Sequence, residues 1–427
     1  QKVLQSVLKS KVLPQDPKAL AEFIAKTTHG DLKGLPDVEP VLVEKLTRPK
    51  IALDVRTKAL DELVKLSGDE RPLVLFKMLQ RLDTREGAGN TAEELAKLVY
   101  TDNPGVVTRY ATQLKALAKD AKTAPVKRSA FAMLVFAARS PESLWAENAS
   151  DGGQLNYLVE SIALIPASEA KLRSAFQPHL TKLLAEGKTN GGRLRAVLLA
   201  LPLTGGDNAA ANFKLAAQHL IDGKERNAAA KALLKFPKTS WDATLAKPIT
   251  EAVLAYGKTV KPQDRSRPDY VETIAAAKEM AVLLGETGKT TLADLRAISV
   301  DVFIVHTVHE QLRFDTTRIE VQAGKQFEIH FENDDVMPHN LVIVPPGKHM
   351  DIGTAAMTMT PAQLDKQGRA YLPKAFESQI LAATKLLDPG QKETLKLKAP
   401  AQPGDYEFVC TFPGHAVLMW GTLSVEK

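Results

Sequence analysis

The residues of this 427-residue chain whose types and spacing suit joint chemistry lie near its C-terminus. Cys410-Thr411-Phe412-Pro413-Gly414-His415-Ala416-Val417-Leu418-Met419 sets a thiol, an imidazole and a thioether in a C-x4-H-x3-M spacing. Met337-Pro338-His339-Asn340-Leu341-Val342 adds a second imidazole well upstream. A thiolate, two imidazoles and a thioether are the donors of a blue-copper centre, in which two His and one Cys surround the metal and a Met binds weakly along the axis. Thiolate and thioether favour Cu(I), and imidazole serves both oxidation states, so the set suits a metal that gains and loses one electron. Zinc competes for such ligands, although a closed zinc site more often adds Cys or His than Met.

Cys410 is the single cysteine. It therefore excludes an intramolecular disulfide, four-cysteine zinc or iron–sulfur ligation, C-x-x-C-H haem attachment and a two-cysteine copper pair. No G-x-S-x-G elbow, phosphate-cradling Gly loop or H-E-x-x-H is present. A copper oxidase or nitrite reductase would need a further His cluster. His306 and His309, three apart on an expected strand, face opposite sides and read as surface histidines. His330, His349, His29, His179 and His219 receive no role.

A loop that brings Cys, His and Met to one metal needs strands on either side of it, and the C-terminal third supplies them. Past Ile298, Val302, Ile304 and Val305 are β-branched, and Leu312–Asp315, Ile319–Gln322, Phe327–Asn333, 395–398, Tyr406–Val409 and 423–425 alternate apolar with polar. Turn signals at Ala323-Gly324, Asn333-Asp334-Asp335, Pro345-Pro346-Gly347, Asp388-Pro389-Gly390 and Gln402-Pro403-Gly404-Asp405 separate them. The pattern predicts a compact antiparallel β-sandwich over 298–427. Between Met350 and Leu387 the alternation lapses into a helical or irregular insertion, with a helix start at Thr360-Pro361.

From about Ala19 to Leu284 the period is helical. Ala59, Leu60, Leu63 and Val64, then Leu75, Met78, Leu79 and Leu82, repeat at the spacing that stacks side chains on one helix face. Ser67-Gly68-Asp69 between them offers a C-terminal Gly and a capping Asp. Further units are expected at Pro104–Lys119, Pro125–Arg139, Ser168–Glu186, Gly191–Leu201 and Arg226–Phe236. A basic residue, small Ala, then Leu recurs at Arg56, Arg128, Arg195 and Arg226, with spacings near multiples of about 35, the range of stacked helix pairs. Residues 1–297 thus read as an all-α, HEAT- or armadillo-like helical-repeat domain, with an irregular bundle as the alternative.

Residues 1–300 carry 44 basic against 34 acidic side chains, and residues 301–427 carry 12 against 16. The basic residues form no run interleaved with aromatics, so no nucleic-acid partner is expected. A solvated face, or a docking surface for an acidic partner, is. The longest apolar run, Ala130–Ala138, falls far short of the roughly 18 residues of a membrane span.

The stretch CTFPGHAVLMWGTLSV from Cys410 to Val425 resembles the copper loop and last strand of the cupredoxin family, the azurin-, auracyanin- and plastocyanin-like type 1 blue copper domains. The likeness extends loosely from Gln311 to Lys427. It implies a Greek-key β-sandwich and one type 1 copper ion, with His339, Cys410 and His415 equatorial and Met419 axial. It also implies that Asn340 braces the ligand loop through Thr411, that the Phe412 N–H points at the Cys410 sulfur, and that His415 offers its ring edge at the surface. Pro338 stands where azurin has a Gly, which puts a fifth, carbonyl ligand in doubt. One-electron transfer by a carrier that is not itself an enzyme follows, with the helical domain as docking scaffold for a cytochrome or dehydrogenase. The competing readings are an accessory subunit or fragment of a larger secreted dehydrogenase–cytochrome assembly, and copper storage or delivery. Family members are generally exported, which implies a periplasmic or extracellular location. Gln1 in place of Met agrees with a processed chain.

Overall fold

A computed structural model of the chain describes residues 7, 9–10, 12–186, 191–261, 264–308 and 311–427. His309 lies outside the described residues. The chain divides into two compact units, 1–252 and 253–427. The change from helix to strand falls later, between Ile298 and Asp301.

The first unit is helical. Helix α1 (Leu53–Ser67) buries Ala59, Leu60 and Leu63 along one stripe and stops at Gly68, whose φ of +70° is left-handed. Helix α2 (Arg71–Leu82) buries Val74, Leu75, Met78, Leu79 and Leu82. Glu70 takes its N-cap position without a side-chain cap. Asp69 instead pairs with Lys77 at 2.6 Å, so the expected capping role falls away. Helices α3 (Ala124–Ala138), α4 (Gly152–Ser161), α5 (Gly191–Ala200) and α6 (Arg226–Lys235) then pack as successive neighbours. The stretch 168–186 splits into Ala170–Ser174 and Gln177–Ala185, because Pro178 supplies no N–H and belongs in a first turn.

The arginines of the recurring pattern cross between neighbouring segments. Arg128 pairs with Glu93 at 2.6 Å and Glu160 at 3.0 Å, and Arg195 pairs with Glu225 at 3.2 Å. Arg56 is fully buried, donates to the carbonyls of Leu46, Arg48 and Ile51, and pairs with Glu94 at 3.0 Å.

The second unit contains helices α7 (Pro268–Val282) and α8 (Gly288–Ile298), tied by the Tyr270 hydroxyl donating to the Ile298 carbonyl at 2.8 Å. Among the described residues eight strands follow: β1 (Asp301–His306), β2 (Arg318–Gln322), β3 (Gln326–Glu332), β4 (Val342–Val344), β5 (Ala382–Ala383), β6 (Lys392–Lys398), β7 (Gly404–Val409) and β8 (Trp420–Glu426). They form a three-stranded sheet ordered β1-β3-β6 and a five-stranded sheet ordered β2-β8-β7-β4-β5. The core between them holds Phe314, Phe327, Phe331, Phe408, Ile319, Ile329, Leu341 and Leu423, with Cys410 and Met419 in the same cluster.

Three local expectations are corrected. The sandwich is not purely antiparallel: β1 runs parallel to β3 and β2 parallel to β8, since the chain enters one sheet, crosses to the edge of the other and returns. Leu312–Asp315 is no strand. Leu312 adopts φ +47°, Phe314 makes a single bridge to Thr307 while its ring plugs the core, and the Asp315 carboxylate accepts the His306 N–H. The insertion's helix, α9 (His349–Ala356), starts after the Pro345-Pro346-Gly347 turn rather than at Thr360, whose N–H closes a turn onto Gln363 at 2.7 Å.

Candidate metal centre

Cys410 follows the last residue of β7, and β8 begins directly after Met419, so the antiparallel β7–β8 pair carries both ends of the ligand loop. The Cys410 N–H donates to the Met419 carbonyl at 2.9 Å, and the Met419 N–H to the His415 carbonyl at 2.8 Å. Gly414, at φ +85°, turns the chain into a short 3-10 segment at His415–Val417. His339 arrives just before β4, which pairs with β7, and its backbone exchanges two hydrogen bonds with Leu387 at 3.0 and 2.8 Å.

These elements gather three donor atoms. Cys410 Sγ lies 3.7 Å from His339 Nδ1 and 3.6 Å from His415 Nδ1, and the two Nδ1 atoms are 3.2 Å apart. A point equidistant from all three sits about 2.0 Å from each, the bond length imidazole makes to a first-row divalent ion. Cys410, His339 and Met419 are wholly buried, and His415 is 4% exposed. The expected open His415 edge is therefore narrow. Val336, Met337, Val417 and Leu418, beside the two histidines in sequence, carry the exposed apolar surface.

The electrostatics hold the donors ready for a cation. Burial depresses His415 to about 4, aided by the neighbouring His339 and opposed by Asp335. Burial depresses His339 too, against the hydrogen bond and charge of Asp335. Burial pushes the Cys410 thiol up to about 12, while the backbone N–H groups of Asn340 and Phe412 pull it down. The neutral imidazoles offer free lone pairs to a metal rather than to a proton, whereas the thiol keeps its proton until a cation displaces it.

Around the donors, Asn340 Nδ2 donates to Thr411 Oγ1 and the Thr411 N–H donates to Asn340 Oδ1, both at 2.8 Å, clamping the two ligand segments together. The Phe412 ring lies 4.7 Å from that of His415, with Tyr371 edge-on behind it at 5.2 Å. Pro338, half-buried, leads into His339. Sequence reasoning missed Asp335, whose Oδ2 is 2.9 Å from His339 Nε2, and Asn333, which donates to the carbonyls of Met337 and Leu387 at 2.8 Å. Both lay hidden in an Asn-Asp-Asp run that reads as turn. The i, i+4 offset between Asp335 and His339 was the available signal. His306, Glu332 and Asp334 also cluster, but His306 lies 2.9 Å from Asp334 and Lys392 pairs with Glu332 at 2.6 Å, a partnered group near the surface.

A soft thiolate and thioether with two imidazoles, buried at the end of a β-sandwich, define the class as type 1 copper proteins. Residues 302–426 match the family of copper-binding proteins described as plastocyanin/azurin. The chain is 36% identical over 120 residues to auracyanin-A of Chloroflexus aurantiacus, covering 27% of this chain and 69% of that protein. It is 36% identical over 124 residues to azurin of Bordetella pertussis, covering 27% of this chain and 78% of that protein. A crystal structure of reduced auracyanin from Roseiflexus castenholzii aligns at 31% identity over 30% of this chain and 97% of that one, with a TM-score of 0.26. Through this C-terminal part the chain belongs to the plastocyanin/azurin family of copper-binding, electron-carrying proteins. Copper is its cofactor.

Proposed function

We propose that His339, Cys410 and His415 would hold one copper ion, with Met419 of the same buried core as a weaker fourth ligand. The observation that carries the assignment is the buried triangle of Sγ and two Nδ1 atoms. Bound copper supplies a one-electron couple between Cu(II) and Cu(I). Cys410 would bind as the thiolate after losing its proton, His339 and His415 would stay neutral with Nδ1 turned inward, and the Asn340–Thr411 clamp holds the two segments that carry them at fixed separation. The apolar walls exclude water, which keeps the site from rearranging when its charge changes.

The protein acts in this reading as an electron carrier, exchanging electrons near His415 across the apolar surface of Val417 and Leu418. The helical part serves as a repeat-built docking scaffold for a cytochrome or dehydrogenase, supported by the successive packing of α3, α4, α5 and α6 and the net positive charge of residues 1–300. Among the described residues no helix is long and apolar enough to cross a membrane. The family resemblance points to the periplasm or cell exterior. Copper-loaded, oxidised protein is expected to show intense thiolate-to-copper absorption that vanishes in Cys410→Ser. A colourless wild-type protein holding stoichiometric zinc after copper loading overturns the assignment.

A further inference from the structure

Asp335 is buried, 4% exposed, and its carboxylate meets the outer nitrogen of a proposed ligand. A carboxylate only accepts, so His339 Nε2 carries the proton in the 2.9 Å contact with Asp335 Oδ2. That leaves His339 Nδ1 bare toward Cys410 and His415. The other oxygen, Oδ1, accepts the Val336 N–H at 2.7 Å, and the Asp335 N–H donates to Asn333 Oδ1 at 3.1 Å. Asn333 is itself pinned to the Met337 and Leu387 carbonyls at 2.8 Å, so the carboxylate is aimed by a braced loop.

Burying a carboxylate is costly unless positive charge lies near. We infer that Asp335 is a positioning residue of the metal centre: it locks the His339 tautomer and supplies a fixed negative charge that favours the divalent over the monovalent ion. The inference rests on the ligand assignment above. Cys410 as thiolate and Asp335 as carboxylate contribute two negative charges, which balance a divalent cation and leave one in excess beside a monovalent cation. The field of Asp335 thus opposes electron entry and lowers the reduction potential.

The test compares copper-loaded full-length chain with Asp335→Asn, which keeps an oxygen acceptor but removes the charge, and Asp335→Ala, which removes both. Asp335→Asn is expected to remain blue and to lose about tenfold in preference for Cu(II) over Cu(I), a rise in potential of about 59 mV by the one-electron constant. Asp335→Ala is expected to lose Cu(II) affinity by about 10–100-fold, the usual effect of removing a histidine's outer partner. In the unmodified Cu(I)-loaded chain, ¹H–¹⁵N spectra are expected to show a slowly exchanging proton on His339 Nε2, a readout that does not depend on either variant folding. An unchanged potential in Asp335→Asn, or a His339 proton on Nδ1 or in free exchange with water, overturns the inference. A purely structural role would lower the melting temperature and leave the potential where it was. Loss of the blue band in the unmodified chain would instead overturn the ligand assignment, and this inference with it.

Discussion

Before metal arrives, Cys410 is a thiol held up to about 12 by burial, and His415 is a neutral imidazole held down to about 4. The two shifts have measurable consequences of known sign. Metal binding must release the thiol proton at neutral pH, so adding Cu(II) to weakly buffered, reduced protein at pH 7 to 8 should liberate about one proton per chain, read by a pH indicator. Apparent Cu(II) affinity should rise about tenfold per pH unit in that range. The histidine acts in the opposite part of the scale. Its folded value lies below the ordinary 6.5, so the unfolded chain takes up protons first as pH falls. Stability of the copper-free protein is therefore intact above 6.5, declines by up to about 1.4 kcal/mol per pH unit as pH falls through 6.5 toward 4, and loses nothing more from this group below that. Denaturant titrations at pH 7.5, 6 and 5 should show the decline. Copper-loaded protein should shift its loss to lower pH, because the metal competes with protons for the same nitrogens.

At the scale of elements, the ligand loop is gripped from both sides. Strands β7 and β8 close on each other where Gly421 faces Phe408, and a Cβ at Gly421 would come within 2.3 Å of the Phe408 ring. Helix α9 presses its backbone on the loop at Gly353, where a Cβ would lie 2.1 Å from Ala416 Cβ. Only glycine allows that approach. Gly353→Val should push α9 away from the ligand loop, destabilise the sandwich by about 1–3 kcal/mol and broaden or shift the copper absorption. A variant with unchanged melting temperature and spectrum would show that α9 does not support the loop. The helix contributes a second brace: His349 stacks on Trp420 with ring centroids 4.3 Å apart and its backbone N–H donates to a Glu407 carboxylate oxygen at 3.0 Å, holding the first residue of β8 beside Met419.

At the scale of the whole molecule, the copper-binding family match covers under a third of the chain, and the helical part has buried polar joints of its own. Arg56 is the largest of these, completely buried among carbonyls and tied to Glu94. Removing it leaves those acceptors without a donor in a place water does not reach, so Arg56→Ala should cost about 3–5 kcal/mol in denaturant unfolding followed by helical circular dichroism. The blue absorption of the copper-loaded chain should be unaffected, since Arg56 lies in the 1–252 unit and the ligands in the 253–427 unit. Loss of colour in parallel with loss of helix would show that the copper site depends on the helical unit for its integrity.

Local spacing, which is a property of the chain, is enough to propose Cys410, His415 and Met419 as metal donors, because they lie within one short loop. The sequence by itself also determined the two periods, 3.6 and 2, that separate helices from strands at Ile298, since each follows from side-chain direction along a single element. It misplaced what depends on partners. Leu312–Asp315 alternates like a strand, yet Phe314 serves better as a plug in the core, and Thr360-Pro361 carries a helix-start signal that the chain uses for a turn. Tertiary contacts alone settle that β1 pairs in parallel with β3 and β2 with β8, that α9 lies against the ligand loop, and that Asp335 turns inward to His339. Strand partners, close approaches and burial are set by segments distant in sequence, and an aspartate in a turn looks the same on paper whether it faces water or a histidine.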